Sequence, residues 1–288
     1  MNKSKLLLMS GLLALSSTAF GEVKTIASMP DAFNDAISVD KKGQIYVSNA
    51  GSFGADGLSG SQVFTQSKTG ESGVFIDNLN GPLGNTFDKK GNFYVSNMNT
   101  GEIYKRDKAG KVELFSVIVS GGGMAVNRKN ELFVASYQGK MIYKIDKYGN
   151  AEVFSDHPLL AGGPVGISFD RRNNLYVGNY DDGKVLKIDK HGEVTEIATV
   201  TMGGNHIGYL VYADGDIYTT SLYTNKIYKV SLDGEVEEFA GTGDFGNDDG
   251  ENDQATFYLP NGITTNRSQD KLYVTEYYSP FVRAISLD

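Results

Sequence analysis

Three features of the sequence predict an all-β fold, a six-bladed β-propeller with four antiparallel strands per blade. First, a five-residue unit recurs six times: Ile45-Tyr46-Val47-Ser48-Asn49, Phe93-Tyr94-Val95-Ser96-Asn97, Leu132-Phe133-Val134-Ala135-Ser136, Leu175-Tyr176-Val177-Gly178-Asn179, Ile217-Tyr218-Thr219-Thr220-Ser221 and Leu272-Tyr273-Val274-Thr275-Glu276. The units start 48, 39, 43, 42 and 55 residues apart, the spacing of four-stranded blades repeated round an axis. Second, a glycine stands nine residues before four of them, at Gly84, Gly123, Gly166 and Gly208, and ten before the last, at Gly262. Third, the final repeat stops one strand short, while Glu22-Val23-Lys24-Thr25-Ile26-Ala27 matches the fourth strand that begins at Glu193. The N-terminal strand is therefore expected to close the ring in the last blade, which removes both edges of an open array.

The first 21 residues stand outside this pattern. Lys3 and Lys5 open them, Leu6 to Leu15 is apolar, and Ala19-Phe20-Gly21 supplies small residues at a cleavage point. That order describes a secretory signal peptide, and the apolar run is shorter than the roughly 20 residues of a spanning helix. The expected organisation is a signal peptide over 1–21 and one propeller domain over 22–288, exported to a periplasm or secreted. Within a repeat, the glycine opens an inner strand, as in Gly166-Ile167-Ser168-Phe169-Asp170, and the recurring unit is the second strand. Lys184-Val185-Leu186-Lys187-Ile188-Asp189 is a third strand, and Lys190-His191-Gly192 a turn, with Lys147-Tyr148-Gly149 and Leu232-Asp233-Gly234 in the same slot. The fourth strand, Glu193-Val194-Thr195-Glu196-Ile197-Ala198, alternates polar and apolar residues. Short strands joined by Gly and Asp turns read as antiparallel sheet.

Composition excludes several chemistries. The formal net charge is −8, and loss of Lys3 and Lys5 with the signal takes it to −10. Such a surface repels phosphate backbones, so no nucleic acid is expected as a partner, and anionic membrane surfaces are disfavoured. No later segment reaches transmembrane length, so no membrane insertion is expected. With no cysteine, disulfides, thiol catalysis and thiolate metal sites are absent.

Ala240-Gly241-Thr242-Gly243, Gly246, Asp249-Gly250, Ala255, Phe257 and Pro260-Asn261-Gly262-Ile263 resemble the signature of an NHL-repeat blade. The whole mature chain is similar to the superfamily of regucalcin (SMP-30), gluconolactonase and strictosidine-synthase-like propellers. The resemblance implies a site on the face where inter-blade connectors meet the ends of second strands, round the central channel. The residues just before the inner-strand glycines or their equivalent, Asp35, Leu83, Gly122, Val165, Ile207 and Asn261, then point to the channel mouth. The second-strand ends add Asn49, Asn97, Ser136, Asn179, Ser221 and Glu276. The resemblance also implies a divalent cation such as calcium in the channel. Asn261, in Pro260-Asn261-Gly262, matches the family's Pro-Asn-Gly ligand motif, but Val165 occupies the Pro-Asp-Gly position, and valine offers no oxygen to a hard cation. Asp35 and Glu276 would complete a different metal set with Asn261; alternatively, all three satisfy backbone groups at strand ends.

Other candidates carry two readings each. Asp244, Asp248, Asp249, Glu251 and Asp253 do not have EF-hand spacing and fall inside the blade signature, which favours a structural connector. His191 occupies a surface turn and His157 precedes Pro158 in a connector, which leaves His206, opening an inner strand, as the one candidate general base. Its other reading is a merely hydrogen-bonded ring. No Gly-x-Ser-x-Gly elbow or phosphate-cradling loop occurs. Tyr137, Tyr180, Tyr223, Tyr277 and Tyr278 gather at second-strand ends, where rings suit ligand or protein recognition but also pack between blades. The loop Gly51 to Gly60 is either a lid or a tolerated excursion. Two functions follow as expectations. One is a module binding a small molecule or protein, with Asn49, Asn97, Asn179, Tyr223 and Tyr277 as contacts. The other is a metal-dependent hydrolase of lactones or related esters, using Asp35, Asn261 and Glu276 for the cation and His206 nearby.

Overall fold

The computed structural model describes residues 21–67, 69–200 and 206–287; the expected signal peptide lies outside them except for Gly21. Blade 1 consists of Asn34–Val39, Ile45–Asn49, Gln62–Gln66 and Ser72–Ile76. Blade 2 consists of Pro82–Phe87, Phe93–Asn97, Glu102–Arg106 and Val112–Val117, and blade 3 of Gly121–Val126, Leu132–Ser136, Met141–Ile145 and Ala151–Ser155. Blade 4 contains Pro164–Phe169, Leu175–Asn179, Lys184–Ile188 and Val194–Thr199, and blade 5 Ile207–Ala213, Asp216–Ser221, Lys226–Val230 and Val236–Ala240. Blade 6 takes Pro260–Thr265, Lys271–Glu276 and Phe281–Ser286 from the C-terminal end and Glu22–Ser28 from the other. Successive inner strands pack against one another in a closed cycle, blade 6 returning to blade 1.

The seam is antiparallel, with Val23 opposite Ile285, Lys24 opposite Ala284 and Thr25 opposite Arg283. The register shifts between Thr25 and Ala27, which turns Ile26 outward. Gly250–Glu251 adds a short fifth strand outside Glu22 and Val23. In every blade the third residue of the recurring unit (Val47, Val95, Val134, Val177, Thr219 or Val274) is fully buried. The period of the sequence is thus the period of the core.

The recurring glycine is a matter of space. A Cβ on Gly84 would lie 2.0 Å from the Gly122 carbonyl oxygen, on Gly123 2.1 Å from that of Val165, and on Gly262 2.2 Å from that of Asp35. Neighbouring inner strands approach too closely for a side chain. The hydroxyl at the fourth position of the unit ties blades together where it is present: Ser96 Oγ donates to Gly122 O at 2.9 Å and Thr220 Oγ1 to Asn261 O at 2.6 Å.

Blade 5 departs from the expected register. Ile207 pairs with Ser221 as Asn34 pairs with Asn49 and Pro260 with Glu276, and Leu210 pairs with Thr219 as Ile37 pairs with Val47. Tyr209, rather than Gly208, therefore stands at the position that is glycine in four other blades and Ala36 in blade 1, and Gly208 takes the place assigned to Ile207. The cause is a tight turn between Ala213 and Asp216, with Asp214 and Gly215 both at positive φ, a geometry suited to two-residue hairpins. It shortens the hairpin by one residue, so counting back nine overshoots. Two connectors also hold more order than expected. Phe53–Gly54 pairs with Gly57–Leu58 as a small hairpin in the Gly51 to Gly60 loop, and Pro158–Gly162 is a 3₁₀ turn whose N-cap is His157.

Candidate functional site

The connectors and second-strand ends form one face of the disc, and its centre is a buried polar cluster. Asp35 accepts hydrogen bonds at Oδ1 from Tyr209 O–H (2.5 Å) and Ala36 N–H (2.9 Å), and at Oδ2 from Asn261 Nδ2 (2.8 Å). The Tyr209 ring starts on blade 5, lies 3.2 Å from the Cβ position that Gly123 of blade 3 leaves open, and reaches Asp35 on blade 1. It therefore lies across the channel. Beyond it a cavity of about 220 Å³, bordered by Ser38, Asn85, Ser168 and Thr264 among others, continues towards the opposite face. Burial pushes the Asp35 carboxyl up from 3.8 to about 6, against the pull of its donors from Tyr209, Ala36 and Asn261. Tyr209 is held well above its ordinary value by burial and by the Asp35 charge.

Glu276 sits apart from this cluster. Its Oε1 meets Arg283 Nη1 at 3.2 Å and accepts from Tyr258 N–H at 3.1 Å, while its buried Oε2 has no partner. Burial raises its carboxyl from 4.5 to about 7, with Arg283 opposing. So Asp35 and Asn261 come together and Glu276 turns to a guanidinium. Among the described residues no three Asp, Glu or His side chains converge as a metal centre requires. With both Asp35 oxygens engaged by donors and the other carboxylate, Glu276, ion-paired, this arrangement does not present the roughly six to eight oxygens that calcium takes.

Arg283, on the third strand of blade 6, is fully buried. Besides Glu276 it donates to Thr256 O (2.8 Å), Asp248 O (2.8 Å) and Asp249 Oδ1 (2.8 Å), and it lies over the Phe257 ring at 5.2 Å. Asp249 also accepts from Thr25 N–H and Oγ1–H on the closing strand, at 2.8 and 2.9 Å. The acidic connector thus fastens the seam of the ring.

Two sets of rings flank the centre. On blades 3 to 5, Tyr137, Tyr180, His206 and Tyr223 follow one another at centroid distances of 5.9, 4.9 and 4.8 Å. His206 Nδ1 lies 3.1 Å from Tyr180 O, so the imidazole is enclosed between two tyrosines. Burial and the neighbouring Tyr223 raise the Tyr180 hydroxyl. On blades 6 and 1, Phe33 meets Tyr277 and Tyr278 at 5.5 and 5.6 Å, and Tyr258 bridges Tyr278 to Phe245 at 5.9 and 5.5 Å. Phe245 is 66% exposed, Tyr278 49% and Tyr258 36%. Tyr277 donates to Gly51 O at 2.9 Å, and burial followed by the Asp35 charge pushes its hydroxyl up to about 12.

Of the predicted contacts, Tyr223 and Tyr277 belong one to each set. Asn49, Asn97 and Asn179 are buried at second-strand ends. Asn49 Nδ2 donates to Ala32 O at 2.5 Å and Asn179 Nδ2 to Leu159 O at 2.7 Å, each drawing in the connector that enters its own blade. Asn97 Oδ1 and Asn179 Oδ1 are left without partners. Sequence reasoning missed Tyr209, Phe33, Tyr258, Phe245 and Arg283. For Tyr209 the signal was the short turn of blade 5; for Arg283 it was a cation in a strand otherwise apolar.

No family model matches this chain, and no curated protein matches it. Solved structures do. Virginiamycin B lyase from Staphylococcus aureus superposes with a TM-score of 0.68 at 17% identity, covering 93% of this chain and all of that one. A gluconolactonase from Xanthomonas campestris gives 0.69 at 13% identity, over 93% and 90% of the two chains. An auxiliary nutrient binding protein from Bacteroides ovatus gives 0.72 at 14%, over 93% of this chain and 76% of that one. At such identities these likenesses establish a shared six-bladed fold and nothing of the activity.

Proposed function

We propose that this chain is an exported binding module that takes a small molecule or a protein partner on the ringed face of its propeller. The observation that carries this reading is the cluster of Phe245, Tyr258 and Tyr278, exposed side by side and backed by Phe33 and Tyr277. Clustered exposed rings are unusual unless something covers them, and rigid amphipathic rings anchor recognition with little loss of side-chain entropy. The fold also serves a nutrient-binding protein. Export rests on the pattern of residues 1–21.

Replacing Tyr278 or Tyr223 with alanine is expected to leave the melting temperature within a few degrees and to weaken capture of the partner about tenfold or more, since an interface ring commonly contributes over 1 kcal/mol. Pull-down from a cell extract, followed by titration of whatever is captured, measures this. Equal capture by wild type and both variants would refute it.

A second reading, hydrolysis of a lactone or ester, is favoured by one observation: a channel-mouth carboxyl raised to about 6, as proton-moving groups often are. In its metal-dependent form this reading requires a cation bound to the native state, and such binding raises the melting temperature. Millimolar calcium is expected to leave the melting curve unmoved, because Asp35 and Glu276 already have partners. A rise abolished by Asn261→Ala would favour the hydrolase.

A further inference from the structure

The face opposite the rings is formed by the hairpins that join first and second strands. On four consecutive blades their exposed turn residues are basic pairs, Lys41-Lys42, Lys89-Lys90, Arg128-Lys129 and Arg171-Arg172, in a chain of net charge −8. Three of the first members are engaged with the next turn. Lys41 Nζ donates to Lys89 O (3.2 Å), Lys89 Nζ to Arg128 O, and Arg128 Nη1 to Arg171 O (2.8 Å). Lys42 and Lys90 have no such bond.

Between the hairpins of blades 1 and 2 runs a groove of about 650 Å³, within the size range of small-molecule sites. Its floor is aromatic, with Tyr46 edge-on to Phe75 at 4.6 Å and to Phe87 at 4.9 Å. Its rim carries Lys42, Lys90, Arg106 and Lys108. The Arg106 guanidinium lies 4.2 Å from the centre of the Phe75 ring. Asp40, Asp88 and Asp107 also border the groove, each with its Oδ1 engaged by its own hairpin. They accept from the backbone N–H of Lys42 and Gln44, of Asn92 and of Lys111 respectively. Among the described residues none of the four rim cations has a carboxylate within 4.0 Å. Among the described residues the half-buried Arg106 guanidinium has no hydrogen-bond acceptor.

We propose that this groove is a second ligand site, and that it takes a small amphipathic anion. The ligand is an apolar body, aryl or alkyl, bearing a carboxylate, sulfonate or phosphate ester. The body covers Phe75 and Phe87. The anionic head meets Arg106, whose planar fork suits such oxygens and whose stacking on Phe75 holds it in place, with Lys42, Lys90 and Lys108 supplying further charge. In a chain of net charge −8, these basic turns concentrate positive charge on one face, and the local field there favours anions.

The test is calorimetric titration at low salt with 1-naphthyl phosphate. Inorganic phosphate and naphthalene-1-methanol stand for its two halves. Wild type is expected to bind the ester saturably at one site, and each half about tenfold more weakly or worse. Lys42→Glu with Lys90→Glu, both in exposed turns, is expected to lower affinity at least tenfold at an unchanged melting temperature, and Arg106→Gln to do the same. Tyr278→Ala, on the other face, should change nothing. The proposal is overturned by an absence of saturation below about 1 mM, by phosphate alone binding as well as the ester, by loss on Tyr278→Ala, or by full affinity in the lysine double variant. Sedimentation with phosphatidylglycerol vesicles that the lysine variant abolishes, without naphthyl phosphate binding, would replace it with a membrane-docking face.

Discussion

Replacing Arg283 with alanine is expected to destabilise the fold by about 3–5 kcal/mol, the range for breaking a buried ion pair from one side. The side chain is fully buried, and its removal strands Glu276, two backbone carbonyls and one oxygen of Asp249 at once. The damage falls on the seam, because the same Asp249 oxygen receives Thr25 of the closing strand. Guanidinium-chloride unfolding at pH 7 measures the loss. Pairing Arg283→Met with Glu276→Gln should recover part of it by removing the uncompensated carboxylate. A loss under about 1 kcal/mol for Arg283→Ala would mean the clamp does not hold the ring.

Stability is also expected to depend on pH through Asp35, with a sign opposite to that of a surface ion pair. Burial raises its carboxyl from 3.8 to about 6 in the folded protein, so the native state keeps the proton after the unfolded chain has released it. The contribution is complete below about pH 4 and is lost as pH rises towards 6, on the order of 3 kcal/mol for a shift of that size. Glu276, raised from 4.5 to about 7, acts in the same direction over a slightly higher window. Other carboxylates, such as Asp249, are lowered and oppose the trend, so the informative quantity is a difference. Asp35→Asn should be more stable than wild type at pH 8, with Asn261 turning its amide over to accept, and the gap should close by pH 4. Parallel stability curves for the two proteins would refute this assignment.

The ring and its seam were legible because they rest on short-range pattern. A buried third residue in every unit and a glycine where inner strands nearly touch both repeat along the chain. The matching text of Glu22 to Ala27 and the strand at Glu193 disclosed the closure for the same reason. What stayed hidden depends on departures from the repeat. One residue fewer in the blade 5 hairpin moved Tyr209 into a slot that is glycine in four other blades and sent its ring across the channel. Counting residues could not reveal that without knowing the turn. Glu276 and Asp35 looked alike as carboxylates near one face, yet the partner of Glu276 is Arg283, seven residues on across one hairpin, in a strand with no site signature. The rings were partly foreseen: the tyrosines at second-strand ends were visible, whereas Phe33, Tyr258 and Phe245 come from connectors with no fixed period.

The pairing of Val23 with Ile285 also orders events during synthesis. A ribosome that has delivered five complete sheets has still left the opening segment without a neighbour, and the strand that will receive it belongs to the sixth, made after the others. Completion of the circle is therefore a late step governed by the meeting of distant ends, slow by the entropy of so large a loop. Until then the growing protein carries two sticky margins for other chains to find.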